Sequence, residues 1–398
     1  MAHTNVLNLQ LKVMGNKLTE AYIQTFHKSP EKLFASPCRI NLIGEHTDYN
    51  HGLALPAAIS KYIGAIVGKR DDRKLYLKSL NKNYDVVVDL DNLSNNPKNS
   101  WGNYPLGIFA TLKKNGHKLP YGLNIVYGAN IPIASGLSSS AALLNLTAFI
   151  ASTMYGINLT APEIALLAHQ SETEFNGLQC GVMDEFAIAL GKKDKCILLD
   201  CLNNKFSYED IDFKDLSLVV IVSNVRRNLV SSPYNQRVEE CKKAVEILKQ
   251  KLNLLNLSQL KVSDLDECEK LLKDDALFRR VRHVVTENQR VLDFVEASKK
   301  GDINKMCKLL NASHESLRDD YEVTGEYLDY LHDISLKYGA LAERMTGAGF
   351  GGSSIALVKK NEFESFKAKV EKDYKAKYDL DAIIFLAEIC DGLIVQDL

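Results

Sequence analysis

The stretch NIPIASGLSSSAALLNLTAF, residues 130–149, runs a turn rich in glycine and serine straight into an apolar helix. A helix that begins at such a turn leaves free backbone N–H groups and the positive end of its dipole where an anion can sit, and phosphate is the natural guest. Ser138, Ser139 and Ser140 add hydroxyl donors, or a hydroxyl ligand for Mg²⁺, which prefers oxygen and usually also takes a carboxylate and nucleotide phosphates. A plain serine N-cap explains one of these serines but not three beside Gly136.

Around this loop, β-branched runs recur as RINLI, KYIGAIV, YDVVVDL, LNIVY, KCILLD, LSLVVIV, SSIALV and DAIIFLA, and each reads as a strand. Between them lie helical stretches, among them SSAALLNLTAFIASTMYG, APEIALLAHQSETEFNG, NQRVEECKKAVEILKQKL, ALFRRVRHVVTENQRVLDFVEASKKG and NEFESFKAKVEKDYKAKY. Strands and helices alternate, so the class is mixed α and β. The polar, turn-rich CLNNKFSYEDIDFKD precedes a fresh strand and predicts a division into residues 1–210 and 211–398.

Three further segments carry chemistry. CRINLIGEHTDYN, residues 38–50, follows a strand-like run with Gly44, Glu45, His46 and Asp48, a density of hydrogen-bonding groups that fold-making alone does not require. TGAGFGG, residues 346–352, spells G-x-G-x-x-G, but SSIALV after it is a strand where a dinucleotide fingerprint needs a helix. It stays open as a ligand-approaching loop or a tight turn. In SETEFNGLQCGVMDEF, residues 171–186, Asp184 is a base, a metal partner or, most simply, a helix cap. The chain has neither G-x-x-x-x-G-K-[ST] nor H-R-D with D-F-G, so a nucleotide-phosphate site here needs a different kinase scaffold.

Composition narrows the partners. Across 398 residues, Lys+Arg 49 against Asp+Glu 50 leaves a formal charge of -1, which offers no basic field for nucleic acid or anionic membrane. No apolar run approaches the roughly 18 residues of a spanning helix, and the first residues lack a signal-peptide core, so a cytoplasmic protein is expected. The eight cysteines are scattered without C-x-x-C or a His at zinc-finger spacing and read as free thiols.

The combination resembles the galactokinases, within the GHMP family of small-molecule kinases. RINLIGEHTDYN looks like the galactokinase signature, PIASGLSSSAA like the family's phosphate loop and MTGAGFGGSSIALV like its third motif, in the family's order. CGVMDEFAIALGKKD, SNVRRNLVSSPYNQR, RRVRHVVTENQRV and HESLRDDYEV are similar blocks, so the likeness spans about residues 30–358. It implies an N-terminal domain like ribosomal protein S5 domain 2, a C-terminal ferredoxin-like domain and an active site between them. It also implies transfer of phosphate from ATP to the anomeric hydroxyl of D-galactose, the opening step of galactose use, by a monomer.

By the same resemblance Asp184 is the catalytic base and Arg39 its partner, stabilising charge on the phosphoryl group in flight. Whether Asp184 abstracts the proton or only polarises the hydroxyl is left open. Glu45, His46, Asp48, Gly181 and Tyr234 would bind the sugar. Gly136, Leu137, Ser138, Ser139, Ser140 and Ala141 would wrap the ATP phosphates, with Gly347, Gly349 and Gly351 facing them and Trp101 beside the adenine. Ser140 and Glu172 would hold Mg²⁺.

Four positions depart from the family pattern: Cys38 and Ala348 where Gly is usual or frequent, His51 where an acidic residue or Gly is common, and Glu185 where Gln follows the base. Glu185 matters most, because a second carboxylate beside the base bears on its charge and on sugar preference. The alternatives are a kinase for N-acetylgalactosamine, arabinose or a uronic acid, and a non-catalytic galactose sensor. Such sensors lack the Ser-Ala pair of the phosphate loop, which Ser140-Ala141 retains here.

Overall fold

The computed structural model describes residues 2–132, 135–225 and 233–398. Ile133 and Ala134 of the phosphate-loop motif and Arg226 to Ser232 of SNVRRNLVSSPYNQR lie outside the described residues. The first half runs α1 (Ala2–Phe26), β1 (Lys32–Asn41), β2 (Leu53–Ala54), β3 (Pro56–Lys69), β4 (Lys74–Ser79), β5 (Val86–Asp89), α2 (Asn103–Lys114), β6 (Leu123–Ala129), α3 (Ser139–Met154), α4 (Ala161–Gln170), α5 (Met183–Ala189), β7 (Lys195–Asp200) and β8 (Lys205–Asp210). The second runs β9 (Leu216–Val222), α6 (Tyr234–Leu248), α7 (Leu265–Leu272), α8 (Asp275–Lys300), α9 (Ile303–Asp319), α10 (Glu326–Lys337), β10 (Ala342–Thr346), β11 (Ser353–Lys359), α11 (Phe363–Tyr378), β12 (Ile383–Leu386) and β13 (Ile394–Asp397).

The first sheet has the order β13-β1-β3-β6-β4-β5, with β4 parallel to β6 and every other pair antiparallel. Helices α3 and α5 pack on β1 and β3, and α1 packs on β3 and β6. Glycines within the strands make room for α1. A Cβ on Gly68 would sit 2.2 Å from the Tyr22 hydroxyl, and one on Gly64 3.1 Å from the Met14 sulfur. Beside this sheet, β2, β7 and β8 form a three-stranded sheet.

The second main sheet, β10-β11-β9-β12, is antiparallel throughout. In chain order these strands stand 2-3-1-4, with helices between the first and second and between the third and fourth, which is the ferredoxin-like arrangement. The apolar run LVVIV of β9 makes sense here because it is buried on both faces. Leu218, Val220 and Val222 join the large core shared with the first half, while Val219 and Ile221 join the core under α6 to α11.

The division at residue 210 falls between β8 and β9, but β13 crosses back to pair with β1, Lys32 opposite Asp397. The last strand thus belongs to the first sheet rather than to residues 211–398 as a block. Edge-strand hydrogen bonding supplies the reason: without β13, the outer edge of β1 over Lys32 to Ala35 would be open.

Candidate active site

A cavity of about 250 Å³ lies between the two halves. Four parts of the chain converge on it: the end of β1 and the loop after it, the start of α3, the segment from Glu172 to Asp184, and the glycine loop after β10 together with Tyr234.

Arg39 organises one wall. A register shift between Pro37 and Cys38 precedes it on β1, and its side chain is almost fully buried. The guanidinium fork meets Asp184 through Nε at 2.7 Å and Nη2 at 2.9 Å, and Nη1 donates to the Gly136 carbonyl at 3.1 Å. One arginine therefore links the strand, the phosphate-loop turn and α5. Burial alone would lower its pKa, but the charge and hydrogen bonds of Asp184 outweigh burial and hold it up.

The turn before α3 is not a simple cap. Ser138 takes φ 58° and makes no capping hydrogen bond; its hydroxyl donates to Asp184 instead. Ser139 and Ser140 open the helix and border the cavity with Gly136. Leu137 and Ala141 are buried in the core and anchor the loop with their side chains, so any part they play toward a ligand is through backbone.

The loop after β1 supplies polar groups. Asp48 opens a 3₁₀ turn, Asp48–Asn50, and lies so close to Gly181 that a Cβ there would be 2.1 Å from its Oδ2. Burial first, then the charge of Asp184, pushes the Asp48 carboxyl up to about 7. His46 takes φ 61°, bonds the Tyr49 hydroxyl through Nδ1 at 2.8 Å and packs against the rings of Tyr234 and Tyr321. Its imidazole is kept neutral: burial, then the charges of His283 and Arg237, pulls it down to about 3.

Glu45 does more than sequence reasoning assigned. It borders the cavity, yet it is fully buried and accepts from the Asn41 amide and the Gly347 N–H, with Arg344 Nη2 at 3.4 Å. It is a strut between the halves as well as a cavity wall. Arg344 completes the joint by donating to the carbonyls of Asn41 at 2.9 Å and Leu42 at 2.7 Å.

Arg344 and two α8 residues were missed from sequence. His283 Nε2 meets the Glu45 carbonyl at 3.0 Å, and Glu287 accepts the Gly44 N–H at 2.9 Å. Arg344 stands two residues before TGAGFGG, and the α8 residues lie in RRVRHVVTENQRV, so proximity to motifs was the available signal.

Not every expected residue reaches the cavity. Gly347, at φ 84°, and Ala348 line it; a Cβ on Gly347 would lie 3.1 Å from the Gly136 carbonyl. Gly349 instead backs onto the Val323 carbonyl, 2.1 Å from a built Cβ, and Gly351 faces Val225. Trp101 is buried in the core between Tyr84 and Tyr127 and does not border the cavity. Cys38 is buried among apolar neighbours, and His51 ends the 3₁₀ turn exposed at φ 61°, a conformation that explains why Gly suits the position.

Ser140 and Glu172 do come together at the cavity. Glu172 sits on a one-turn π-helix, Ser171–Phe175, is buried, and leaves Oε1 without a hydrogen-bond partner. Such an orphaned carboxylate oxygen next to a serine hydroxyl fits an oxygen-seeking dication. Glu185 does not flank Asp184 in the cavity as expected. Its carboxyl is fully buried against Glu172, and burial, then the Glu172 charge, pushes it far up; Glu172 itself is raised by burial.

The chain matches the galactokinase galactose-binding signature over residues 20–69, the GHMP kinase N-terminal domain over 103–192 and the GHMP kinase C-terminal domain over 294–376. It is 41% identical to the galactokinase of Lactobacillus helveticus over 94% of this chain and 98% of that one. The crystal structure of Lactococcus lactis galactokinase complexed with galactose superposes with a TM-score of 0.93 at 36% identity, covering 96% of this chain and 99% of that chain. The mevalonate kinase of Methanococcus jannaschii, at 22% identity, TM-score 0.62 and coverage of 90% and 98%, shares the fold alone.

Proposed function

The chain belongs to the galactokinase family of GHMP kinases, and from that premise we propose that it transfers the γ-phosphoryl group of ATP to the anomeric oxygen of D-galactose, releasing ADP and α-D-galactose 1-phosphate. The observation that carries the reading is the Arg39–Asp184 fork, with the Ser138 hydroxyl on the same carboxylate, beside a helix start on one side and the polar loop of Glu45, His46 and Asp48 on the other.

Phosphoryl transfer needs positioning and charge neutralisation more than covalent help. Asp48, His46, Gly181 and Tyr234 hold the sugar, and Glu45 fixes the loop that carries the first two. Asp184 receives or polarises the anomeric proton, within reach of the attacking oxygen. Arg39 holds that carboxylate and faces the oxygens of the group in transit. The N–H groups of Gly136 and Ser138 to Ser140 and the α3 dipole bind the ATP phosphates. Ser140 and Glu172 would hold Mg²⁺, which when bound neutralises phosphate charge.

Among the described residues no helix is long and apolar enough to cross a membrane, and all eight cysteines are free, as a reducing compartment favours. Action as a cytoplasmic monomer completes the proposal. A coupled ADP-release assay over a panel of sugars tests it. Galactose should be the preferred acceptor, and preference for N-acetylgalactosamine, arabinose or a uronic acid would overturn the substrate assignment.

A further inference from the structure

Behind the cavity wall lies a cluster that the reaction above does not use. The donor atoms of His169, Cys180 and Glu185 all lie within 4.8 Å of one another. Cys180 Sγ stands 4.0 Å from His169 Nδ1 and 3.5 Å from Glu172 Oε2. We propose that His169, Cys180 and Glu185, joined by Glu172, form a site for a divalent cation of Zn²⁺ or Co²⁺ character, distinct in chemistry from Mg²⁺.

The donor set decides the class of ion. Nitrogen, sulfur and carboxylate oxygen together suit a borderline-soft dication, whereas Mg²⁺ takes oxygen. Four-coordinate zinc, with bonds of roughly 2.0–2.3 Å, spaces neighbouring donors about 3.3–3.8 Å apart, so small side-chain movements close the shell.

The local electrostatics also call for a cation. Both carboxyl oxygens of fully buried Glu185 and Oε1 of Glu172 have no hydrogen-bond partner, and among the described residues neither carboxylate forms a salt bridge. Three carboxyl oxygens left without a partner are costly in a desolvated site. A dication satisfies both carboxyls and displaces the Cys180 proton to solvent, which burial otherwise holds on the thiol. Access exists from a second cavity of about 670 Å³ that His169, Cys180 and Gly177 border. The cluster His314, His332 and Glu343 also leaves His314 Nε2 and Glu343 Oε1 unpartnered, but it borders neither of these two cavities, and His332 Nδ1 already bonds Glu343 at 2.9 Å.

The consequence for catalysis rests on the reading of Glu172 as a Mg²⁺ ligand: an ion held here draws that carboxylate away and inhibits. Cobalt absorption of the full, metal-stripped chain tests the site. One equivalent of Co²⁺ should produce a thiolate charge-transfer band that Cys180→Ser abolishes, that His169→Gln weakens in affinity by at least roughly tenfold, and that Cys201→Ser leaves intact. No band, or one that survives Cys180→Ser, overturns the site. Kinase activity of His169→Gln without added Zn²⁺ should match the parent and so verify its fold. Under excess Mg²⁺ and ATP, Zn²⁺ should inhibit the parent and spare His169→Gln. A cobalt band without zinc inhibition leaves the site standing and removes Glu172 from the Mg²⁺ assignment.

Discussion

Asp184 and Glu185 are adjacent on the first turn of α5, yet they inhabit opposite electrostatic worlds. Asp184 faces the cavity with Arg39 forked onto it and 30% of its side chain still exposed. Glu185 is fully buried and faces the Glu172 carboxyl, with no cation near it among the described residues. Successive helical residues point about 100° apart, so one step along the chain exchanges a paired charge for a carboxyl that burial keeps protonated. A substitution at the first position should therefore strike turnover, and at the second, charge balance.

The largest test of that contrast is Asp184→Asn, which should cut kcat by roughly 10²–10⁴-fold while galactose affinity by calorimetry changes far less. Undiminished turnover would remove Asp184 from the chemistry and dissolve the contrast. Glu172→Gln comes next. It should raise the Mg²⁺ needed for half-maximal rate about tenfold without lowering the melting temperature, because it also removes a buried charge. A loss of stability with unchanged Mg²⁺ dependence would show that Glu172 acts as a structural group.

Asp48 lies between the two cases, bordering the cavity like Asp184 and raised in pKa like Glu185. With its carboxyl up at about 7, the sugar-free folded chain keeps a proton between pH about 4 and 7 that the unfolded chain gives up. Its contribution to stability therefore declines as pH rises through that window. Asp48→Asn should gain on the parent by roughly 2–3 kcal/mol between pH 5 and pH 8 in denaturant titrations, while its galactose KM rises. A difference that does not vary with pH would place the Asp48 pKa elsewhere. The smallest effect is expected from Glu185→Gln: kcat within about twofold and a melting point raised by a few degrees at most. A large loss of activity would mean that the carboxyl itself serves the reaction.

Much of the site was legible because its motifs are local. The Ser-rich turn, the polar run after RINLI and the glycine loop each have a physical reason that a single segment can express, and all three border the cavity. What the sequence could not show was long-range. Trp101 is an aromatic whose sequence neighbourhood does not say whether it faces a ligand or the core, and the core took it. Glu45 reads as a sugar contact, yet its tie to Arg344 depends on residues 299 positions apart being brought together. Helix α1 was not anticipated either, since its place depends on glycines in β3 and β6 that admit it.

The sequence by itself determined the class of fold, the family, and the residue types that meet the ligand, because periodicity, turn chemistry and dense motifs are local signals. The tertiary structure alone decided which carboxylate each charge faces, that β13 closes the first sheet, and that the donor atoms of His169, Cys180 and Glu185 stand together. Burial and electrostatic pairing fall off within a few ångströms in space, and distance along the chain does not encode them.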